Sequence, residues 1–264
     1  MSTPPRPAPP ARRPEDGPPD GPPEAGSPDA ERSALVLFSG GQDSTTCLFW
    51  ALSPEGGAFD RVEAVAFDYG QKHAVEIGQA RQIADAAGVP FAVQDLSGLL
   101  AGSSLTEHDR DSNDAHDLAP DLPASFVPGR NALFLTLAAA RGFLRGTRDL
   151  VGGMSQADYS GYPDCRADFV ESQARTLTLA LGQPVRIHAP LMHRTKAETW
   201  KLARDLGRVR GLDVLETVRE MSHTDYNGDR TERHAWGYGR LDNPASVLRA
   251  KGYAEVEANG WLER

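Results

Sequence analysis

The chain has 264 residues, 39% of them hydrophobic and 25% charged, with a formal net charge of −9, which fits a globular chain with one well-buried core. The acidic balance signals no general affinity for nucleic acid, and no apolar run approaches the roughly 20 residues that span a bilayer. With only Cys47 and Cys165, a disulfide framework and a four-cysteine metal site are both excluded.

The chain opens on a separate regime. Eleven of its 20 prolines lie between Pro4 and Pro28, mixed with Gly, Ala, Asp and Glu. Nothing there can build a core, so residues 1–32 are expected to form a disordered leader. No signal-peptide pattern is present, and the cytoplasm is the expected location. Strand-like and helix-like runs then alternate: Ala34–Phe38, Thr45–Leu52, Val62–Phe67, Val75–Ala87, Phe91–Val93, Asn131–Leu144, Leu150–Val151, Phe169–Leu181, Val185–Ile187 and Lys196–Leu206. Such alternation predicts an α/β fold, a parallel sheet with helices on both faces. In that fold ligands bind beyond the carboxyl ends of strands. Leu96 to Pro128 reads as a long connection without clear periodicity, of the kind that is usually functional or mobile. The expected division is the leader, a main α/β domain over 33–215 and a small C-terminal segment over 216–264.

The first loop is the most informative. The apolar run Leu35-Val36-Leu37-Phe38 breaks into Ser39-Gly40-Gly41-Gln42-Asp43-Ser44, and a helix-forming run follows. Adjacent glycines let backbone N–H groups turn toward an anion, and the helix N-terminus presents its positive end to the same point. Ser39 and Ser44 add hydroxyls, and Asp43 can hold a metal riding on phosphates. Gly-Lys-Ser/Thr is absent, so this is not a Walker loop. Asp68 or Tyr69, after the second strand, could meet an adenine or ribose edge. In Pro128-Gly129-Arg130-Asn131, Asn131 can cap the long apolar helix, and Arg130 is a charged fork suited to phosphate or carboxylate. The loop Gly152 to Arg166 gathers glycines, tyrosines, aspartates and an arginine, a mixture suited to a planar hydrogen-bonding ligand. Thr195 can cap the last helix. Lys196, unfavourable in the first turn of a helix, is better explained if it faces phosphates.

The Ser39–Ser44 loop resembles the PP-loop of ATP pyrophosphatases. Together with Phe67-Asp68-Tyr69-Gly70-Gln71, Pro128-Gly129-Arg130-Asn131, Asp158-Tyr159-Ser160-Gly161-Tyr162-Pro163-Asp164-Cys165-Arg166 and Leu191 to Lys196, it resembles the 7-cyano-7-deazaguanine synthase family of the queuosine pathway, from Ala34 to about Tyr253. That resemblance implies a carbon–nitrogen ligase. It would convert 7-carboxy-7-deazaguanine and ammonia to the nitrile with ATP and Mg²⁺, through activated carboxylate and amide. Phe38, Ser39, Gly40, Gly41, Gln42, Asp43 and Ser44 would hold ATP. Asp43, Lys196 and Arg130 would be the catalytic residues, with Lys196 and Arg130 facing phosphates or carboxylate, and Asp158, Tyr159, Tyr162, Asp164 and Arg166 would line the deazaguanine pocket. The implied partners are small molecules, with no nucleic acid and no membrane; a homo-oligomer is compatible with the sequence. The alternatives are a non-catalytic or retargeted nucleotide binder, and another PP-loop ligase such as a tRNA-modifying enzyme.

The chain departs from the family in one respect. The resemblance implies a structural zinc on four cysteines near the C-terminus, yet those positions hold Asp225, Arg240, Asn243 and Ser246 between the surviving flanks Tyr226-Asn227-Gly228 and Leu248 to Tyr253. Arginine cannot ligate zinc, and amides and hydroxyls are poor zinc ligands, so no metal is expected there. An Asp225–Arg240 ion pair braced by Asn243 and Ser246 is expected instead.

Overall fold

The computed structural model describes residues 31–70, 75–97, 115–116, 119–123, 126–157, 162–225 and 229–263. Residues 1–30 of the Pro-rich leader, Gln71 to His73, the site candidates Asp158 and Tyr159, and Tyr226-Asn227-Gly228 lie outside the described residues.

The elements follow the expected alternation: β1 (Ser33–Leu37), α1 (Gln42–Leu52), β2 (Arg61–Asp68), α2 (Val75–Ala86), β3 (Phe91–Asp95), β4 (Ala115–His116), β5 (Ala119–Pro123), α3 (Arg130–Leu144), β6 (Asp149–Val151), α4 (Ala167–Leu181), β7 (Arg186–His188) and α5 (Lys196–Asp205). The connection over 96–128 is not without regular structure, because β4 and β5 pair there as an antiparallel ribbon. Beyond α5 come the short hairpin β8 (Arg208–Val209) and β9 (Leu212–Asp213), α6 (Val214–Met221), a second hairpin β10 (Arg233–His234) and β11 (Gly237–Tyr238), and α7 (Pro244–Ala258).

The five long-range strands form one parallel sheet in the order β3-β2-β1-β6-β7. Strand side chains alternate between faces, and the core divides accordingly. Ala34 and Val36 of β1, with Val62 and Ala64 of β2, face a cluster built from α1, α2, α5, α6 and α7. Leu35, Val65 and Phe67 point the other way, onto α3 and α4. Trp200 of α5 is fully buried and meets the Tyr253 ring of α7 edge-on at 5.2 Å, which fixes the C-terminal helix on the sheet-covering layer. The chain runs from β1 outward to β3 and returns to β6 on the opposite side of β1. The gap beyond the carboxyl ends of β1 and β6 is therefore the switch point, where open α/β sheets bind ligands.

Charge ties the far edge of the sheet together. Asp149 on β6 accepts from Arg186 Nε and Nη2 at 2.8 and 2.7 Å, and its Oδ1 lies 2.7 Å from His188 Nε2. Burial pushes this carboxyl up, but the hydrogen bonds from His188 and Arg186 outweigh it and hold it down at about 2. A carboxyl held below its ordinary value stabilises the fold above that value, and the stabilisation is lost as pH falls toward the folded one. Asp149→Ala should therefore lower the unfolding free energy near neutral pH by about 2 kcal/mol. Urea titrations should show the gap to the natural chain closing between about pH 5 and pH 2; a gap unchanged across that interval would remove the cluster from the stability account.

Candidate functional site

The loop after β1 forms the floor of the switch-point cavity. Gly40 has φ +81, and a Cβ there would meet the Ala80 backbone nitrogen at 2.7 Å, so only glycine fits between the loop and α2. The serines knit the turn internally. Ser39 N donates to Ser44 Oγ at 3.2 Å, the two hydroxyls lie 3.1 Å apart, and Ser44 Oγ donates to the Gly41 carbonyl at 3.3 Å. Helix α1 then starts at Gln42 with Gly41 as its N-cap and no side-chain cap, which leaves the capping role to a ligand anion. Gln42 is buried, and both atoms of its amide lack a hydrogen-bond partner. A buried amide left in that state is costly, and Gln42 lines the cavity, where a polar ligand would satisfy it.

Asp43 and Lys196 come together across 153 residues of sequence. Lys196 Nζ donates to both carboxylate oxygens of Asp43, at 2.9 and 2.8 Å, and its side chain is only 10% exposed. The lysine tolerates the first turn of α5 because that helix has its own capping box, Thr195 with Glu198, and because Asp43 neutralises it. Its stem lies against α7, where a Cβ on Gly252 would stand 2.7 Å from both Cβ and Cγ of Lys196. On the other flank a Cβ on Gly153, in the loop after β6, would lie 3.1 Å from Asp43 Cβ. Two glycines on different elements thus clear the space for the ion pair.

The cavity measures about 360 Å³ and continues from the glycine loop to an aromatic end lined by Phe67, Tyr69, Phe134 and Tyr162. Phe67 and Phe134 stack with centroids 4.3 Å apart. Arg130 enters at the start of α3 and brings Nη1 to 3.5 Å from Tyr69 Oη; burial raises the pKa of that phenol, with Arg130 opposing. Glu76, in the first turn of α2, also lines the cavity. Burial pushes its carboxyl up to about 7, with nearby Arg130 partly opposing. Sequence reading passed over Glu76, since an acidic residue in a first helical turn is ordinarily explained by the helix dipole. Its packing under the same cavity as Arg130 gives it a different meaning.

The remaining candidates are placed as follows. Phe38 is buried at the cavity's edge, and Tyr162 lines its aromatic end. Asp164 is buried and works as a cap from a distance: its Oδ2 accepts from the Asn131 amide at 2.9 Å, and its carbonyl accepts from Asn131 Nδ2 at 3.1 Å. The cap of α3 is therefore Asp164, not Asn131 as the sequence suggested. Arg166 precedes α4 with its side chain exposed. Neither Asp164 nor Arg166 lines the cavity, whereas the half-buried Cys165 between them does. Its Sγ accepts from Asn131 Nδ2 at 3.3 Å, and burial raises the thiol to about 11.

The C-terminal segment supplies the last wall, with His223, Thr224, Ala245 and Leu248 lining the cavity. His223 N donates to the Gly40 carbonyl at 2.9 Å. Behind it stands Arg249, fully buried, donating to the carbonyls of Val218 and Trp236 and to the hydroxyls of Ser222 and Thr224. Burial pulls this guanidinium down to about 9. The Asp225–Arg240 ion pair expected from sequence does not form. The Arg240 amide, not its guanidinium, donates to Asp225 Oδ2 at 2.8 Å, and the side chain turns out to Asp229, Glu232 and Asp242 at 3.5–3.7 Å. A guanidinium has five donors to satisfy, and on the exposed side it keeps its charge near three carboxylates without the cost of burial.

The Gly252 contact can be tested by stability alone. Alanine is the better helix former by about 1 kcal/mol, but the added methyl has no room against Lys196, so Gly252→Ala should destabilise by about 1–3 kcal/mol. Unfolding at equal or higher urea than the natural chain would show that α5 and α7 are not in contact there.

The family model described as Queuosine biosynthesis protein QueC matches residues 33–257. The chain is 49% identical over 229 residues to the 7-cyano-7-deazaguanine synthase of Wolinella succinogenes, covering 86% of this chain and 94% of that one. It is 46% identical over 241 residues to 7-cyano-7-deazaguanine synthase 1 of Rhodopseudomonas palustris, covering 86% and 96%. With the match spanning the glycine loop, both cavity ends and most of the C-terminal segment, the chain belongs to the QueC family of queuosine biosynthesis proteins.

Proposed function

We propose that the chain is a carbon–nitrogen ligase of the cytoplasm that converts 7-carboxy-7-deazaguanine and ammonia to 7-cyano-7-deazaguanine at the expense of ATP. One observation carries the reading: a single cavity joins a phosphate-type loop holding the Lys196–Asp43 pair to an aromatic end holding Arg130. The relatives' names give the product, 7-cyano-7-deazaguanine, and the geometry is compatible with the corresponding acid as acceptor, because a flat bicyclic acid needs an aromatic wall and a cation for its carboxylate.

A carboxylate is a poor electrophile, so its oxygen must first attack the α-phosphorus of ATP with loss of pyrophosphate. Ammonia then displaces AMP to give the amide. A second ATP activates the amide oxygen in the same way, and its departure leaves the nitrile. In this reading the Ser39–Ser44 turn and the α1 N-terminus cradle the phosphates, and Gln42 gains its missing partners there. Lys196 offsets charge that grows on the phosphate oxygens. Asp43, on the cavity wall with a half-buried carboxylate, fits a Mg²⁺ ion bound to those phosphates, which would supply further charge neutralisation. Arg130 orients the acid. Glu76, titrating near neutrality, accepts the proton that the attacking nitrogen must lose.

Incubation with 7-carboxy-7-deazaguanine, an ammonium salt and Mg-ATP should yield the nitrile by mass, with AMP and pyrophosphate released. ATP turnover without amide or nitrile would instead fit a ligase acting on another acceptor. Asp43→Ala and Lys196→Ala should each lower turnover by roughly 100-fold or more while remaining folded, and near-natural turnover in either variant removes that residue from the chemistry.

The pH profile gives a second check. A base must be ionised to act, so kcat should rise as pH increases through an ionisation near 7. Glu76→Gln should lower kcat by roughly 100-fold and abolish that inflection; an inflection that persists in the variant belongs to another group.

A further inference from the structure

The zinc centre that the family resemblance implies does not fit this chain. Three of the four positions face one buried centre as oxygen and nitrogen groups: the Asp225 carboxylate, the Asn243 amide and the Ser246 hydroxyl. The fourth, Arg240, sends its guanidinium outward. The set holds one anion and no thiolate or imidazole, which is poor chemistry for zinc, and no group of three or more His, Cys, Asp or Glu able to hold a metal occurs among the described residues.

What stands there instead is a hydrogen-bond knot with satisfied geometry. Asp225 is fully buried, and its Oδ2 accepts from the Arg240 amide at 2.8 Å, Asn243 Nδ2 at 3.0 Å and Ser246 Oγ at 3.2 Å. Asn243 in turn caps α7, accepting from the Ser246 amide at 3.0 Å. A buried carboxylate is tolerated when several donors meet it, and here the donors come from the loop after β11 and from the first turn of α7. The knot ties that segment to the stretch ahead of Asp225. There the Asp225 carbonyl lies 2.7 Å from His223 Nε2, Thr224 Oγ1 accepts from Arg249 at 2.8 Å, and the His223 amide donates to Gly40. Hydrogen bonds at both ends of the short stretch His223 to Asp225 thus tie the buried carboxylate, through that backbone, to the glycine loop.

We propose that this carboxylate-centred knot takes the place of the metal centre, and that Asp225, Asn243 and Ser246 act as positioning residues that hold His223 against Gly40, making ATP binding independent of zinc. The ATP half rests on the function proposed above; the zinc half does not.

The test uses the full-length chain purified from zinc-supplemented medium. Zinc measured by plasma mass spectrometry should fall well below one per chain, and calorimetry should give the same Kd for ATP before and after dialysis against a zinc chelator. Stoichiometric zinc, or ATP affinity lost on chelation and restored by zinc, overturns the proposal. Ser246→Ala and Asn243→Ala, each removing part of the knot and sparing Asp225, should weaken ATP binding roughly fivefold to tenfold and leave the affinity for 7-carboxy-7-deazaguanine unchanged. Unchanged ATP affinity in both variants, or equal loss for both ligands, overturns the positioning role. Failure of the natural chain to bind ATP would defeat the functional reading and leave the zinc measurement to decide the knot alone.

Discussion

The closeness of Gly40 to α2 sets the geometry on which the rest of the site depends. No side chain fits between the loop and the Ala80 backbone, and the positive φ of Gly40 selects glycine independently. Pressed against α2 on one side, the loop is held on the other by the His223 amide. The turn is therefore a wedge between a helix early in the chain and a segment near its end. Its serines need only stitch it internally, and the α1 N-terminus projects into the cavity without a cap of its own.

Charge in the cavity is arranged as opposed pairs. Lys196 is matched by Asp43, and Arg130 has Glu76 near it. Such pairing lets cations sit in a partly buried wall without an uncompensated desolvation cost. Arg249 follows another rule. It lies between the Trp200 and Trp236 rings, at 5.3 and 5.8 Å from their centroids, and its fork meets the last carbonyls of α6. Those carbonyls carry the negative end of the helix dipole, so a helix terminus and two indole faces stand in for a carboxylate.

How much of this was legible in the sequence depended on whether partners were local. The strand, Gly-Gly turn and helix from Ala34 to Leu52 are contiguous, and periodicity with turn chemistry located them. Helix α7 escaped notice because its buried positions are Ser246, Arg249, Gly252, Tyr253 and Val256, correctly spaced for one face but too polar to register as an apolar stripe. Its cap and first-turn proline, Asn243 and Pro244, were the signals that could have found it. The Asp164 contact to the first turn of a helix beginning 34 residues earlier is invisible locally, because nothing in the chain around Asp164 announces that partner. The Asp225 knot was half legible: the four positions were known, but whether Arg240 would enter with its guanidinium or its amide depended on the exposed acidic residues around it.

The two cysteines carry a chemical consequence. Cys47 is wholly buried, with its thiol well above the ordinary value, and Cys165, although it borders the cavity, is held at about 11. Burial thus keeps both thiols in the protonated, weakly nucleophilic form at neutral pH. With a carboxylate where cysteine ligands would otherwise lie, the described chain offers thiol-directed reagents little thiolate to attack.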